Sequence, residues 1–339
     1  MLTDESAINR FTGNGRGEFL IRPAQVNIRL KAEAMSETNN WRIDVHHHVV
    51  PPRYADDSLP VKIPDVEEQL GSMDSWHIRA AITSLTPRVV LKNLNRLRAV
   101  ARDCNEFQAR RAQDHRSRLG SFALLPLPDV DGALEEISYA LDVLRLDGVG
   151  LFSSVNDCYL GDASLDPVFD ELNRRNAVVF IHPTHCEAPE HMGLRAPPFA
   201  VEYVFDTTRA IVNMIYTGTL KRCPDIRFIV AHGGGTVPFL AERIAMMEGH
   251  RGAKSVSDVI PTLRSLYYET ASTTSAFALR SLQEFADPER ILWGSDLPFV
   301  YGARLQREVE HWEHYDGFDA ATRRAIEEHN ALRLFPRFA

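Results

Sequence analysis

Short apolar segments alternate with longer segments of helical periodicity from residue 42 onwards. The short segments are typical of strands, and the longer ones repeat apolar residues at helical spacing. The strands are predicted at Arg42–His46, Arg79–Ser84, Leu119–Leu124, Gly148–Phe152, Ala177–His182, Ile226–Ala231, Leu266–Thr270 and Arg290–Trp293. The helices are predicted at Asn93–His115, Gly132–Leu146, Asp166–Arg175, Val201–Tyr216, Val237–Met247, Ser275–Phe285, Ala303–Tyr315 and Ala320–Leu334.

Strands that alternate with helices predict a parallel sheet. Eight such strands in the part of the chain after residue 41 favour a closed, TIM-like (β/α)8 barrel. The alternative is an open, doubly wound sheet. No glycine-rich dinucleotide-binding turn follows the first predicted strand, which counts against that alternative.

Three stretches lie outside this alternation. Residues 49–78 contain four prolines and predict a long loop after strand 1, forming a lid or rim over the barrel mouth. Residues 183–200 predict a second long loop. Residues 1–40 are turn-rich and polar, so we expect an N-terminal extension outside a barrel domain of residues 41–339. Two alternatives are an upstream addition that precedes a native start at Met35, and an arm that packs on a partner subunit.

Composition narrows the class of protein. The 339 residues are 44% hydrophobic and 25% charged, with a net charge of −8, as in an ordinary globular enzyme. The sequence contains no block of Lys and Arg of the kind that binds nucleic acid. It also contains no apolar run of about 18 residues that would span a membrane. The N-terminus lacks a signal-peptide pattern, and the four cysteines form no CxxC, so we expect a reduced, cytoplasmic protein.

Polar residues with metal-binding chemistry follow several strands where the chain leaves the barrel. They are His46 and His48 after strand 1, His182 after strand 5, His232 after strand 6 and Asp296 after strand 8. Residues two apart on a strand share a face, so His46 and His48 project together and His47 points away. The carboxyl ends of barrel strands meet at one mouth. Three imidazoles and a carboxylate there suit Zn²⁺ or Mn²⁺, with positions left for water or substrate.

We predict that His232 stays off the metal. Gly233–Gly235 follow it, would let a substrate approach the backbone closely, and lie near the start of the next helix. His232 would then act as a general acid/base or donate a hydrogen bond to developing charge. The alternative is that Gly233–Gly235 form only a tight turn.

Four ordered motifs carry a family resemblance. They are Ile43–His48 with Pro51, His182-Pro183, Ala231–Gly235 with Pro238-Phe239, and Gly294–Phe299. From about residue 42 to 335 the chain resembles the amidohydrolase superfamily and, within it, the decarboxylase branch. The resemblance implies His46, His48, His182 and Asp296 as metal ligands and His232 as a catalytic histidine beside them. It also implies that Arg243 reaches into a neighbouring subunit and holds a substrate carboxylate, so that the enzyme is at least a homodimer. The alternative for Arg243 is a surface helix charge.

Two further details refine the resemblance. Two-metal amidohydrolases carry a bridging lysine at the end of strand 4, where Gly148–Ser154 contains none, so one metal per chain is implied. The segments His46–Pro51, His182–His185 and Phe205–Ala210 look most like the 6-methylsalicylate decarboxylases of the branch. His185 would touch substrate or lie in solvent. Asp206 and Arg209, three apart in the last segment, could equally form an intrahelical pair.

The resulting hypothesis is non-oxidative decarboxylation of an ortho-hydroxy aromatic acid such as 6-methylsalicylate, which releases CO2 and a phenol. Asp296, or a water aided by His232, would protonate the ring carbon that bears the carboxylate. Phe152, Phe299 and Trp293 would line an aromatic pocket, or belong to ordinary packing. No motif for an organic cofactor is found. The alternative is a hydrolase of a lactone, ester or amide that uses a metal-activated water.

Overall fold

The structure, a computed structural model, describes residues 41–55, 59, 61–156, 158–184, 195–248 and 258–339. The predicted N-terminal extension, residues 1–40, lies outside these described residues, and so does most of the predicted loop 183–200. No helix in the described ranges is long and apolar enough to cross a bilayer.

Eight parallel strands form one sheet in which each strand pairs with the next along the chain. They are β1 (Arg42–His48), β2 (Ile78–Ser84), β3 (Leu119–Leu124), β4 (Gly148–Phe152), β5 (Val178–His182), β6 (Arg227–Val230), β7 (Tyr267–Glu269) and β8 (Ile291–Leu292). Each predicted strand is found within two residues of its predicted bounds. The prediction of a (β/α)8 barrel is therefore confirmed.

The barrel closes between β8 and β1. Val45 N donates to Trp293 O at 3.1 Å, and His48 N donates to Leu297 O at 2.6 Å. An open, doubly wound sheet would leave its two edge strands unpaired, so that alternative is wrong.

The helices surround the barrel. They are α1 (Val66–Ser75), α2 (Pro87–Leu91), α3 (Leu97–Asp114), α4 (Val130–Ser138), α5 (Asp166–Arg174), α6 (Pro198–Tyr216), α7 (Thr219–Arg222), α8 (Val237–Glu248), α9 (Val259–Arg264), α10 (Ala276–Phe285), α11 (Ala303–His314), α12 (Ala320–Arg324) and α13 (Asn330–Leu334). The predicted helix over 320–334 is interrupted by a π-helical turn at Ala325–His329.

One prediction about the connections needs correction. Residues 49–78 are not a continuous loop, because α1 occupies Val66–Ser75. A capping box starts this helix: the Asp65 side chain accepts from Glu68 N, and the Glu68 side chain accepts from Asp65 N. The prolines are confined to the part before it.

An apolar floor closes the barrel interior beneath the mouth, the end of the barrel formed by the carboxyl ends of the strands. The rings of Phe122 and Phe180 are stacked, with centroids 5.3 Å apart. The ring of Phe335, from the C-terminal segment, lies 5.9 Å from Phe122. Burying each of these side chains contributes roughly 1.5–3 kcal/mol. The floor supports the site directly, because the Phe180 ring lies 5.0 Å from the ring of His46.

Candidate active site

The end of β1 places two imidazoles side by side inside the barrel. The His46 and His48 rings lie 4.9 Å apart, and their Nε2 atoms are 3.0 Å apart. His47 points to the other side, as predicted from the strand alternation, and its Nδ1 lies 2.9 Å from Asp44 Oδ2. The same Asp44 accepts from the backbone N of Ser295 at 3.0 Å, which ties β1 to the segment that carries Asp296.

His182 and Asp296 complete a group of four residues at the mouth, called here the ligand cluster. The His182 ring lies 5.1 Å from His46 and 4.9 Å from His48. Asp296 Oδ1 is 3.5 Å from His46 Nε2 and 3.1 Å from His48 Nε2. One potential ligand atom from each of the four lies within 4.8 Å of the others. The structure thus brings together all four predicted ligands.

Each histidine of the ligand cluster uses its Nδ1 on the side away from the others. These contacts are His46 Nδ1 to Glu269 Oε1 at 2.9 Å, His48 Nδ1 to Ser84 Oγ at 3.2 Å and His182 Nδ1 to Pro183 O at 2.7 Å. A metal-binding histidine characteristically donates its second ring N–H to a carboxylate, carbonyl or water, which fixes the ring and its tautomer. This arrangement leaves each Nε2 available as a ligand atom.

The electrostatics of the cluster suit a cation. Burial lowers the pKa of His48, and it lowers the pKa of His182 well below its usual value, so both rings are neutral at pH 7. Burial also opposes the charge of His46, but Glu269 and Asp296 outweigh it and raise the pKa of His46 to about 9. The Asp296 carboxyl is buried too, yet His46 and His48 hold its pKa below the ordinary value. A cation bound here therefore competes with the proton on His46.

Asp296 itself shows that the cluster fits a metal ion. Its Oδ1 atom is buried, and the ring nitrogens of His46 and His48 that lie near it are not aligned to donate a hydrogen bond of good geometry. A buried, unsatisfied carboxylate oxygen is costly, and a divalent ion would satisfy it. Asp296 also holds a left-handed backbone conformation, with φ of +59°, which is uncommon for a residue other than glycine. Such strain clusters at functional sites.

His232 lies beside the ligand cluster. Its ring is buried, 5.0 Å from the ring of His46 and 5.9 Å from that of His182. Its Nδ1 is 3.1 Å from the carbonyl oxygen of Ala271, and its backbone is left-handed, with φ of +56°. The position agrees with a histidine that works next to the metal rather than on it.

The three glycines after His232 have a different role from the one expected. All three have positive φ, between +62° and +77°. A Cβ at Gly233 would lie 2.6 Å from Thr273 Cγ2, and one at Gly235 would overlap the carbonyl oxygen of Val204. The neighbouring space is filled by protein, so the glycines serve the turn itself rather than close approach by a substrate.

Glu269 is the main site residue that sequence reasoning missed. It ends β7, is fully buried, and contacts His46 Nδ1, as well as the backbone N of both His232 and Ala271. Glu269 could have been found in the sequence as an acidic residue near the end of a predicted barrel strand. The same criterion identifies Asp296.

Aromatic side chains stand around the mouth. The Phe299 ring lies 5.3 Å from His48, and the Phe152 ring lies 6.2 Å from His182. The ring of Tyr203, which was not predicted, is also 6.2 Å from His182, and burial raises the pKa of its hydroxyl. Trp293 does not line this space. It packs under the guanidinium of Arg42, 5.4 Å from the ring centroid, so of the two alternatives for Trp293 ordinary packing holds.

The segment after β5 is held by a buried carboxylate. Asp206, on α6, accepts from the backbone N and the hydroxyl of Thr184, each at 3.1 Å, and from the hydroxyls of Ser153 and Tyr159. Its distance to the nearest Arg209 nitrogen is 3.9 Å. Asp206 is therefore chiefly an anchor for the segment that follows His182, and the ion pair with Arg209 is secondary.

Two predicted substrate-binding residues are not brought to the cluster by the described structure. Arg243 lies on the exposed side of α8. His185 lies outside the described residues.

Comparison with known proteins gives concordant matches. A family model described as Amidohydrolase matches residues 43–337. Decarboxylase yanB of Aspergillus niger is 34% identical over 325 residues, which cover 88% of this chain and 88% of that protein. A 6-methylsalicylic acid decarboxylase of Penicillium expansum is 33% identical over 313 residues, which cover 87% of this chain and 96% of that protein. The fold is similar to that of a dihydroxybenzoic acid decarboxylase from Polaromonas sp. JS666, whose crystal structure contains manganese and the inhibitor 2-nitroresorcinol. The TM-score is 0.76 and the sequence identity is 19%, and the match covers 88% of this chain and 97% of that one.

Proposed function

The chain belongs to the decarboxylase branch of the amidohydrolase family, and we propose that its substrate is an ortho-hydroxy aromatic acid such as 6-methylsalicylate. The enzyme is a metal-dependent carboxy-lyase, and the products are CO2 and the corresponding phenol. The observation that carries the proposal is the ligand cluster of three histidines and one aspartate, with His232 beside it. The aromatic rings at the mouth support a flat aromatic substrate.

His46, His48, His182 and Asp296 would hold the metal ion. A divalent ion held there would supply positive charge for the substrate carboxylate and for the negative charge that develops on the phenolate oxygen. We assign one divalent ion per chain, because the end of β4 offers no lysine to bridge a second. Zinc and manganese both suit three imidazoles and one carboxylate.

The protein residues supply the proton. Decarboxylation requires protonation of the ring carbon that bears the carboxylate. The electron pair of the broken C–C bond then returns to the ring and CO2 leaves. Proton delivery is assigned to His232 with a proton on both ring nitrogens: Nδ1–H donates to the carbonyl oxygen of Ala271, and the proton on Nε2 passes to the ring carbon, which leaves a neutral imidazole. Asp296 is the second candidate. Phe299 and Tyr203 would orient the substrate ring and exclude water, which strengthens electrostatic interactions inside the site.

A homodimer is part of the proposal. Phe199, Phe239 and Phe277 are 58%, 82% and 83% exposed, and they lie near the first turns of α6, α8 and α10, which follow β5, β6 and β7. Large exposed apolar surfaces mark interaction sites. Arg243 is four residues after Phe239 and shares its helix face. When a partner subunit packs on this surface, Arg243 would reach into the active site of the partner and bind the substrate carboxylate in that site. Light scattering together with the KM of Arg243→Ala tests this assignment.

Two assignments concern the whole chain. Cys104, Cys158 and Cys223 are free thiols, which supports a reducing compartment and hence the cytoplasm. Residues 1–40 are assigned to an extension outside the barrel domain of residues 41–339. Deletion of residues 1–34 should leave the melting temperature of the barrel unchanged.

The first experiment combines elemental analysis with CO2 release from 6-methylsalicylate. We expect one metal ion per chain and release of CO2. His182→Ala should lose the metal, His232→Ala should keep it and lose activity, and the exposed His314→Ala serves as the control. Acid release from lactones without CO2 release from any salicylate would replace this function with hydrolysis. A metal-free His232→Ala protein would contradict the division of roles.

A further inference from the structure

Glu269 connects two histidines that have different tasks. Its Oε1 lies 2.9 Å from Nδ1 of His46 and also accepts from the backbone N–H of His232. Its Oε2 accepts from the backbone N–H of Ala271 at 2.6 Å. Both oxygens of this fully buried carboxylate are thus engaged by N–H groups from three different residues.

These contacts decide between two roles for Glu269. His46, His232 and Glu269 are close enough together to form a cation site by themselves. However, Nδ1 of His46 faces Glu269, whereas its Nε2 faces His48 and Asp296. An N–H at Nδ1 places the lone pair on Nε2, directed at the ligand cluster. Glu269 therefore fixes the tautomer and direction of a ligand rather than acting as one.

The same carboxylate also determines where His232 sits. It holds the backbone of His232 directly, and it holds Ala271, whose carbonyl oxygen lies 3.1 Å from His232 Nδ1. The left-handed backbone of His232 needs such support, because a residue other than glycine avoids this conformation. Both the backbone and the ring of His232 thus depend on Glu269.

We propose that Glu269 is a positioning residue that aligns the metal ligand His46 and the proton donor His232 at the same time. The part concerning His46 stands on the geometry of the cluster, and the part concerning His232 rests on the proposed function. One glutamate would then set both metal affinity and the rate of proton transfer. Such outer partners of metal ligands typically account for about 10- to 100-fold in metal affinity or activity.

Gly294 provides an independent way to disturb Glu269 without changing its chemistry. A Cβ at position 294 would overlap Glu269 Oε2 and come within 2.9 Å of His46 Cβ. Gly294→Ala must therefore displace the carboxylate or the histidine. Gly71, on α1, is the matched control, because nothing lies within 4 Å of a Cβ added there.

The first test is metal affinity, which needs no catalytic activity. The dissociation constant for Mn²⁺ and Zn²⁺ is measured by competition with a chromophoric chelator, on variants whose folding is verified by circular dichroism. Glu269→Gln and Gly294→Ala should each bind metal 10- to 100-fold more weakly than the parent protein. The two control variants, Gly71→Ala and Glu136→Gln, should bind metal as tightly as the parent protein does. Glu136 is a buried glutamate on α4 that accepts hydrogen bonds from Asn105 and Arg102. A folded Glu269→Gln protein with a dissociation constant within about twofold of the parent would overturn the role at His46.

The second test is turnover at saturating metal. Glu269→Gln should lower kcat for CO2 release at least tenfold and change KM little, since Glu269 does not reach the substrate. When Glu269→Gln is added to the His232→Ala variant, kcat should fall very little further, because the two residues act on the same step. Full recovery of kcat with excess metal would overturn the role at His232. If the parent protein released no CO2, the proposed function would fail, and the metal affinities would still decide the role at His46.

Discussion

Glu308 should make the stability of this protein fall as the pH rises from about 5 to 8. The side chain extends from α11 and accepts from the backbone N of Ser272 at 2.9 Å. Burial, with a smaller contribution from the negative charge of Asp296, raises the pKa of Glu308 from 4.5 to about 7. The folded protein therefore holds this proton more tightly than the unfolded chain does.

The size of the effect follows from that shift. One pKa unit corresponds to about 1.4 kcal/mol, so Glu308 should cost the folded state at most about 3.5 kcal/mol above pH 7. Below pH 4.5 the side chain is neutral in both states and the cost vanishes. Glu308→Gln has nearly the same shape, keeps an acceptor for Ser272 and is neutral throughout.

Urea denaturation at pH 5 and pH 8 measures the prediction. Glu308→Gln should be more stable than the parent protein at pH 8, and the difference should shrink towards pH 5. Glu310→Gln, a change at an exposed glutamate on the same helix, is the control. The reasoning is refuted if the difference between the Glu308→Gln and parent proteins is the same at both pH values, or if the parent is the more stable of the two at pH 8.

Three other predictions concern the loops and the surface. Asp206→Asn should destabilise the protein by about 1–3 kcal/mol in urea denaturation, because a buried acceptor of several hydrogen bonds becomes partly a donor. Gly235→Ala should lower the melting temperature more than Gly218→Ala does, since both positions have positive φ but only the first lacks room for a Cβ; equal losses would contradict this. Phe239→Glu should dissociate the proposed dimer in light scattering, and an unchanged mass would move the interface elsewhere.

The barrel could be predicted closely because its signals are local. Each strand is a short apolar run between helical segments, and the predicted bounds differ from the observed ones by at most two residues. Helix α1 was missed although its capping box, Asp65 and Glu68, is also a local signal. The prolines before it were given more weight than the cap. The π-helical turn at Ala325–His329 has no comparable mark in the sequence.

The ligand cluster could be predicted for a related reason. Its members follow apolar strands, and the fold itself brings strand ends together at one mouth. His46 and His48 even share a strand, so their common direction needs no knowledge of the barrel. The Cβ clashes at Gly233–Gly235 were beyond prediction, because Thr273 and Val204 approach them from other parts of the chain.

The partners of the Nδ1 atoms show most clearly where sequence reasoning stops. The cluster histidines and His232 face a carboxylate, a hydroxyl and two backbone carbonyl groups. Any acceptor at the right place satisfies an N–H, so residue type alone does not identify the partner. Glu269 is 223 positions from His46, and only closure of the barrel makes them neighbours. The metal ligands can therefore be recognised in the sequence from their residue types. The residues that orient these ligands are determined by their position in the fold. Where the partner accepts a single N–H, another acceptor at the same place should consequently serve as well, and Ser84→Thr is the mildest such exchange beside His48. Glu269 is different, because both of its oxygens accept and a glutamine offers only one acceptor oxygen.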